Sequence, residues 1–171
     1  MSIIQKVKSR KIAFLYYYQH HFVSRIDRYD ISESISEDPI IDIDLIQSIL
    51  QQQNRDPVVY IAQSQLWYHI SDYDDHLAHI LIDAYHLYVD QMQDITSPYT
   101  KTFAYTEMNA IDQSLLHLWY TEYVCLHTPY KVVIDQMVEI AKRYSTPSSA
   151  KLINGILHAL LSVWESWETS V

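Results

Sequence analysis

Aspartate and histidine side chains recur between residues 72 and 90 at spacings that metal sites use. Imidazole and carboxylate groups three or four residues apart on one helix can ligate zinc or another divalent cation. If the segment is one continuous helix, seven of these side chains share a face at 100° per residue. They are Asp72, Asp75, His76, His79, Asp83, His86 and Asp90. Within this Asp/His stripe, His76, His79 and Asp83 are the metal candidates.

Two other interpretations of the Asp/His stripe stay open. It can be an acidic face for a basic partner, or a solvated helix face in a chain that contains 9 histidines. No flanking cysteine and no HExxH motif supports a metal site. The sequence therefore predicts no resident metal and no cofactor.

The glycine content excludes several classes of enzyme. Gly155 is the only glycine in 171 residues, whereas the P-loop, GxGxxG and GxSxG motifs each need at least two. No other constellation of nucleophile and base stands out. We therefore predict a binding protein rather than an enzyme.

The first helix carries basic side chains that can neutralise phosphates. Residues 1–28 contain six basic side chains and one acid, although the whole chain has a net charge of −9. This asymmetry is typical of a basic binding end on an acidic body, and an acidic body attracts basic partners. Lys6, Lys8, Arg10 and Lys11 are the candidates for RNA phosphates, with a tyrosine run at 16–18 available for stacking. Solvated lysines and buried tyrosines are the alternative.

Helical periodicity dominates the elements that must position these groups. It predicts helices over residues 3–22, 40–50, 58–71, 74–94 and 108–125, followed by two that open at Thr128-Pro129 and Thr146-Pro147. In both openings the threonine is placed to cap and the proline to take the first helical position. Gly155 lies inside the last helix, where we expect it to let two helix backbones pack closely. Trp164 and Trp167 are expected to cover the bundle end.

The resulting fold class is all-α, a bundle of about seven helices in one domain spanning 1–171. We divide it into an N-terminal half, 1–71, with a variable segment at 23–71, and a C-terminal half, 72–171. The single Cys125 excludes an intramolecular disulfide and suits a reducing compartment. No apolar run reaches membrane-spanning length and no signal segment is evident, so we expect a cytoplasmic protein with no membrane partner.

The region from 128 to 157 resembles the C-terminal signature of the NusB family of bacterial transcription antitermination factors. The matching pieces are Pro129-Tyr130-Lys131-Val132, Glu139-Ile140-Ala141-Lys142 and Lys151-Leu152-Ile153-Asn154-Gly155-Ile156-Leu157. Upstream, the helix around Leu116 and the basic opening at Lys8-Ser9-Arg10 are similar to the family's. The resemblance implies two packed helical subdomains. It also implies binding of boxA RNA with the ribosomal protein NusE, within the antitermination complex of RNA polymerase.

The same resemblance implies roles for individual residues. By position, Lys6, Lys8, Arg10 and the adjacent Lys11 belong to the RNA surface, as do Ser148, Lys151, Leu152 and Asn154. Tyr18 and Asp112 match family contacts to NusE. The sequence departs from the family at Ser148, where an acid is usual, and at Leu152, where an aromatic is usual. Surface or core packing is the alternative for each residue, and for Asp112 it is a favourable interaction with the positive end of its helix.

Two alternative functions remain at this point. One is an RNA-binding NusB-like fragment associated with a ribosomal RNA methyltransferase, because a similar domain precedes some of those enzymes. The other is a helical interaction or metal-binding protein that uses the Asp/His stripe.

Overall fold

The computed structural model describes residues 2–28, 57–100 and 104–168, with side chains except those of 26–28, 63–67 and 163–168. The predicted helix at 40–50 and the side chains of Trp164 and Trp167 lie outside this part of the chain. Every regular element in the described residues is a helix, which confirms the all-α prediction. The α-helices are α1 (Ile3–Arg28), α2 (Pro57–Tyr68), α3 (Asp75–Asp83), α4 (Tyr85–Tyr88), α5 (Met92–Thr96), α6 (Ala110–Leu126), α7 (Tyr130–Tyr144) and α8 (Pro147–Glu168). Short 3-10 turns cover Val89–Gln91, Ser97–Tyr99 and Tyr105–Glu107.

The chain forms two compact units, Met1–Ile82 and Asp83–Val171. In the first, residues 12–17 of α1 are all buried, as expected for a stretch of helix that is covered on every side.

Two side-chain hydrogen bonds explain why α3 belongs to the first unit. Ser9 Oγ donates to the carbonyl of Asp74 at 2.6 Å, and the Tyr17 hydroxyl donates to the carbonyl of Leu81 at 2.8 Å. Both bonds are buried, where each is stronger than in water. The first unit therefore continues to residue 82, beyond the division after residue 71 that the sequence indicated.

The predicted helix over 74–94 is interrupted. α3 ends at Asp83, and Ala84 adopts φ −77° and ψ −6° before the single turn of α4. Leu81, Ile82, Ala84 and Tyr85, on either side of the interruption, are all buried. The expectation of one continuous helix over 74–94 is therefore wrong at Ala84.

In the second unit, α6 is the most enclosed helix. All its residues from 112 to 119 are buried, as expected for a helix that is covered on every side. α7 and α8 pack on it and on each other. They bury apolar stripes that include Val133 and Met137 in α7 and Ile153 and Leu157 in α8.

The predicted start of α8 is confirmed and that of α7 is wrong by one residue. Thr146 Oγ1 accepts a hydrogen bond from the Ser149 N–H at 3.1 Å, and Pro147 is the first helical residue. In α7, Pro129 is itself the N-cap, with φ −51° and ψ 125°, and no side chain caps the helix. Its carbonyl already accepts from Val132 N and Val133 N, so the helix begins at Tyr130.

The expectation that Gly155 lets two backbones pack closely is also wrong. Gly155 is exposed, and a Cβ placed on it would meet no atom of the described residues within 4 Å apart from its chain neighbours and the backbone of its own helix turn. Glycine inside a helix destabilises by about 1 kcal/mol relative to alanine. No tertiary packing contact among the described residues accounts for this loss of helix stability.

His127 offers a test of the α6 terminus. It ends the helix with φ 48° and ψ 33°, and its N–H donates to the carbonyl of Tyr123. A left-handed conformation strains a residue with a Cβ but not glycine. We expect His127→Gly to raise the free energy of unfolding by about 1 kcal/mol, read as a higher urea midpoint at unchanged slope.

His158 supplies the matched control, since it is an exposed histidine inside α8. His158→Gly should lower the urea midpoint, because glycine is the poorer helix former there. A His127→Gly midpoint at or below that of the wild type would contradict the left-handed terminus.

Candidate nucleic-acid interface

A buried carboxylate joins the start of α6 to the turn between α7 and α8. Asp112 is only 3% exposed. Its Oδ2 accepts hydrogen bonds from Asn109 Nδ2 at 2.8 Å and Ser149 Oγ at 2.9 Å, and its Oδ1 accepts a longer one from Ser145 Oγ at 3.4 Å. We call Asn109, Asp112, Ser145 and Ser149 the Asp112 junction. It fixes three chain segments against one another.

Local capping reinforces the Asp112 junction on both sides. Asn109 is the N-cap of α6, and its Oδ1 accepts from the Asp112 N–H at 2.9 Å. On the α8 side, the Thr146 and Ser148 hydroxyls lie 2.8 Å apart, beside the cap that Thr146 provides. The first turns of α6 and α8 are therefore held by side-chain hydrogen bonds as well as by packing.

An open groove of about 460 Å³ lies beside the Asp112 junction. It is lined by Glu107, Met108, Asn109, Asp112, Ser148, Ser149 and Leu152. Two of these, Ser148 and Leu152, are predicted RNA residues. The structure thus places them at one concave surface.

An exposed strip of α8 continues from this groove. Ser148, Lys151, Leu152 and Gly155 follow the i, i+3, i+4, i+7 spacing of one helix face, and we call them the α8 face. Leu152 is half-buried and the other three are exposed. Asn154, the remaining predicted RNA residue of α8, is exposed on the flank of this face.

The basic side chains of α1 are less uniformly displayed than the sequence predicted. Lys6 is exposed, whereas Lys8 donates from Nζ to the carbonyl of Ser71 at 2.6 Å. Arg10 is only 5% exposed, and both it and the half-buried Lys11 are engaged in interactions. Lys6 is therefore the basic residue of this group that α1 presents most openly.

Tyr18, a predicted partner contact, belongs to an aromatic series along α1. Its ring centroid lies 6.3 Å from that of Phe14 and 5.8 Å from that of Phe22. Phe14 is buried, Tyr18 half-buried and Phe22 46% exposed. Sequence reasoning missed Phe22, although the i, i+4 spacing of the three rings was a signal for it.

Asp112, the other predicted partner contact, has both oxygens occupied by its own chain. Sequence reasoning missed the residues that hold it. The Asn-x-x-Asp spacing of Asn109 and Asp112 is a helix-start signature that could have revealed one of them. Ser145 and Ser149 could not have been found, because they lie more than 30 residues away along the chain.

The Asp/His stripe does not form the continuous helical face on which the metal hypothesis depended. Asp72 precedes α3 with φ 56°, and α3 ends at Asp83. His79 Nδ1 lies 2.9 Å from the carbonyl oxygen of Asp75 in the preceding turn. Within the described ranges, no group of three or more His, Cys, Asp or Glu side chains is placed to hold a metal ion.

The Asp112 junction has a distinctive pH signature. Burial raises the pKa of Asp112, and the hydrogen bonds from Ser149, Asn109 and Ser145 oppose this rise only in part. The folded protein therefore binds this proton more tightly than the unfolded chain does. The resulting stability is fully present below the unfolded pKa, about 3.9, and is lost as the pH rises through the folded pKa.

We predict that Asp112→Asn removes this pH-dependent contribution while keeping the junction, because an amide can both accept and donate here. Its stability relative to wild type should rise between pH 4 and pH 7, measured by urea unfolding. Asp112→Ala should instead cost about 1–3 kcal/mol, since it leaves the buried hydroxyl of Ser149 without its acceptor.

Asp135→Asn, an exposed site on α7, is the control and should follow the wild-type pH curve. An Asp112→Asn curve parallel to that of wild type would contradict this account of the carboxylate.

Comparisons with known proteins agree with this architecture. A sequence profile described as the NusB family matches residues 7–162. Among solved structures, the chain is similar to NusB of T. maritima, from a P3121 crystal (Form 2). The TM-score is 0.58 and the sequence identity 23%, over 90% of this chain and 88% of that chain. At this identity the likeness shows the fold. No curated protein matches significantly.

Among the described residues, no helix combines the length and the apolar character that crossing a bilayer requires. The family match covers most of the chain, and the solved structure supports the same all-α fold. This chain belongs to the NusB family.

Proposed function

We propose that this protein acts in transcription antitermination. It binds single-stranded boxA-type RNA in nascent ribosomal transcripts together with the ribosomal protein NusE, so that RNA polymerase reads through terminators. Family membership supports a NusB-type antitermination role and a non-enzymatic, RNA-binding one. The observation that carries the RNA part is the α8 face, where an exposed lysine and a half-buried leucine adjoin an open groove.

The α8 face carries a lysine and no acid although the net charge is −9, and the exposed Glu107 lines the groove beside it. From Pro147 to Trp164 the sequence contains Lys151 and no acidic residue. A positive group attracts phosphates, and the strength of that attraction depends on salt. The acid that the family usually has at the position of Ser148 is absent here, which removes one repulsion.

Base contacts in this proposal come from apolar and polar groups rather than from an aromatic ring. Unpaired bases expose faces that stack on aromatic side chains and edges that hydrogen-bond. Leu152 offers apolar contact area but cannot stack on a base. Stacking on an aromatic side chain contributes about 1–3 kcal/mol per base, and this contribution is missing here. Ser148 and Asn154 offer hydrogen bonds. We therefore expect weak RNA binding by this protein alone.

The partner contact in the proposal is the exposed end of the aromatic series on α1. Tyr18 and Phe22 present ring surface to solvent, and large aromatics are frequent anchors of protein interfaces. Outside residues 1–28 the chain has twenty acidic and six basic side chains, which attract a basic ribosomal protein at long range, whereas the α1 contact itself lies in the basic segment and is aromatic. Asp112 contributes by holding the turn before α8. A direct contact with NusE would have to displace its present hydrogen bonds.

Two weak surfaces on one RNA combine through effective concentration, so the pair can bind tightly when neither member does. We expect the affinity for a labelled boxA RNA, measured by fluorescence anisotropy, to rise at least tenfold when cognate NusE is added. A NusE that neither binds the protein nor improves its RNA affinity would refute the proposal.

Lys151 and Lys131 form a matched pair for the charge part of this test, because both are exposed lysines of the second unit. Each phosphate contact to single-stranded nucleic acid contributes about 0.7 to the slope of log K against log salt. Lys151→Gln should make this negative slope shallower by about 0.7. Lys131→Gln should leave the slope unchanged. Equal effects of the two changes would show that only net charge matters.

A further inference from the structure

Gly155 is exposed in the middle of a helix and no packing contact accounts for it. It is the only glycine of the chain, and a Cβ at this position would enter open space as far as the described residues are concerned. A helical conformation does not require glycine, since no glycine here has a positive φ. Glycine remains useful where a ligand must approach a backbone closely.

The surroundings of Gly155 indicate what that ligand is. Gly155 lies on the α8 face one turn beyond Lys151 and Leu152, on the strip that leads away from the groove. No carboxylate occurs along α8 before Glu165. The face therefore combines a cation, an apolar patch and a bare stretch of backbone, a combination that complements the phosphates and the flat ribose and base surfaces of single-stranded RNA.

We infer that Gly155 is a contact residue for RNA, at which the ribose–phosphate chain lies directly against the backbone of α8. This inference rests on the proposed RNA-binding function and adds the residue and its mode of contact. Lys151 neutralises a neighbouring phosphate and Leu152 covers an adjacent ribose or base. A side chain at position 155 would hold the RNA away from both.

Opposite effects on stability and binding distinguish this role from a structural one. Gly155→Ala should raise the thermal midpoint by about 2–4 °C, because alanine is the better helix former. It should also weaken binding of boxA RNA at least fivefold in the presence of NusE. Gly155→Gln, which keeps a good helix former and adds no charge, should weaken it further.

Ser162→Ala is the control, an exposed position of the same helix seven residues, or about 10 Å, farther on. It should raise helix propensity without changing RNA affinity. Gly155 variants that bind RNA within twofold of wild type would overturn the inference while leaving the proposed function standing. Loss of NusE binding with RNA affinity retained would overturn it in favour of a protein contact. A wild-type protein that fails to bind RNA with NusE would refute the proposed function, and the inference with it.

Discussion

The buried carboxylate of Asp112 is the interaction on which the candidate surface depends. It meets Asn109 at the start of α6, Ser145 at the end of α7 and Ser149 in the first turn of α8. These partners are an amide and two hydroxyls, so hydrogen bonds rather than an opposite charge compensate the burial. That compensation is incomplete, as the raised pKa of Asp112 shows. The ionised carboxylate of Asp112 thus lowers the free energy of unfolding at neutral pH, although the junction that it forms fixes the orientation of α8.

The orientation of α8 matters because an acidic protein has little surface to offer to RNA. Net charge disfavours a polyanion at long range, but screening confines the repulsion to about 8–10 Å at physiological salt. Within that range the α8 face presents Lys151, while Glu107 and the buried Asp112 line the adjoining groove. The α8 face carries a lysine and no acid, and Lys6 on α1 is likewise exposed. A partner that contributes further positive charge would strengthen phosphate binding at the α8 face.

Sequence patterns predicted the features that depend on neighbouring residues. The cap at Thr146 and the buried stripes of α7 and α8 follow from spacings of a few residues, and the structure confirms them. Features that depend on distant segments were missed or misjudged. Burial of Arg10 and the hydrogen bonds from Ser145 and Ser149 to Asp112 arise from packing between segments that are distant in the sequence. Gly155 was misjudged for the opposite reason, since the packing that seemed to require it is absent among the described residues.

Lysine footprinting of the protein bound to NusE, with and without boxA RNA, would show whether the α8 face contacts the RNA. Lys6, Lys131 and Lys151 are all exposed, so an amine-reactive reagent should modify each of them in the absence of RNA. The account predicts that RNA protects Lys6 and Lys151 and leaves Lys131 as reactive as before. Equal reactivity of Lys151 and Lys131 in the RNA complex would contradict it.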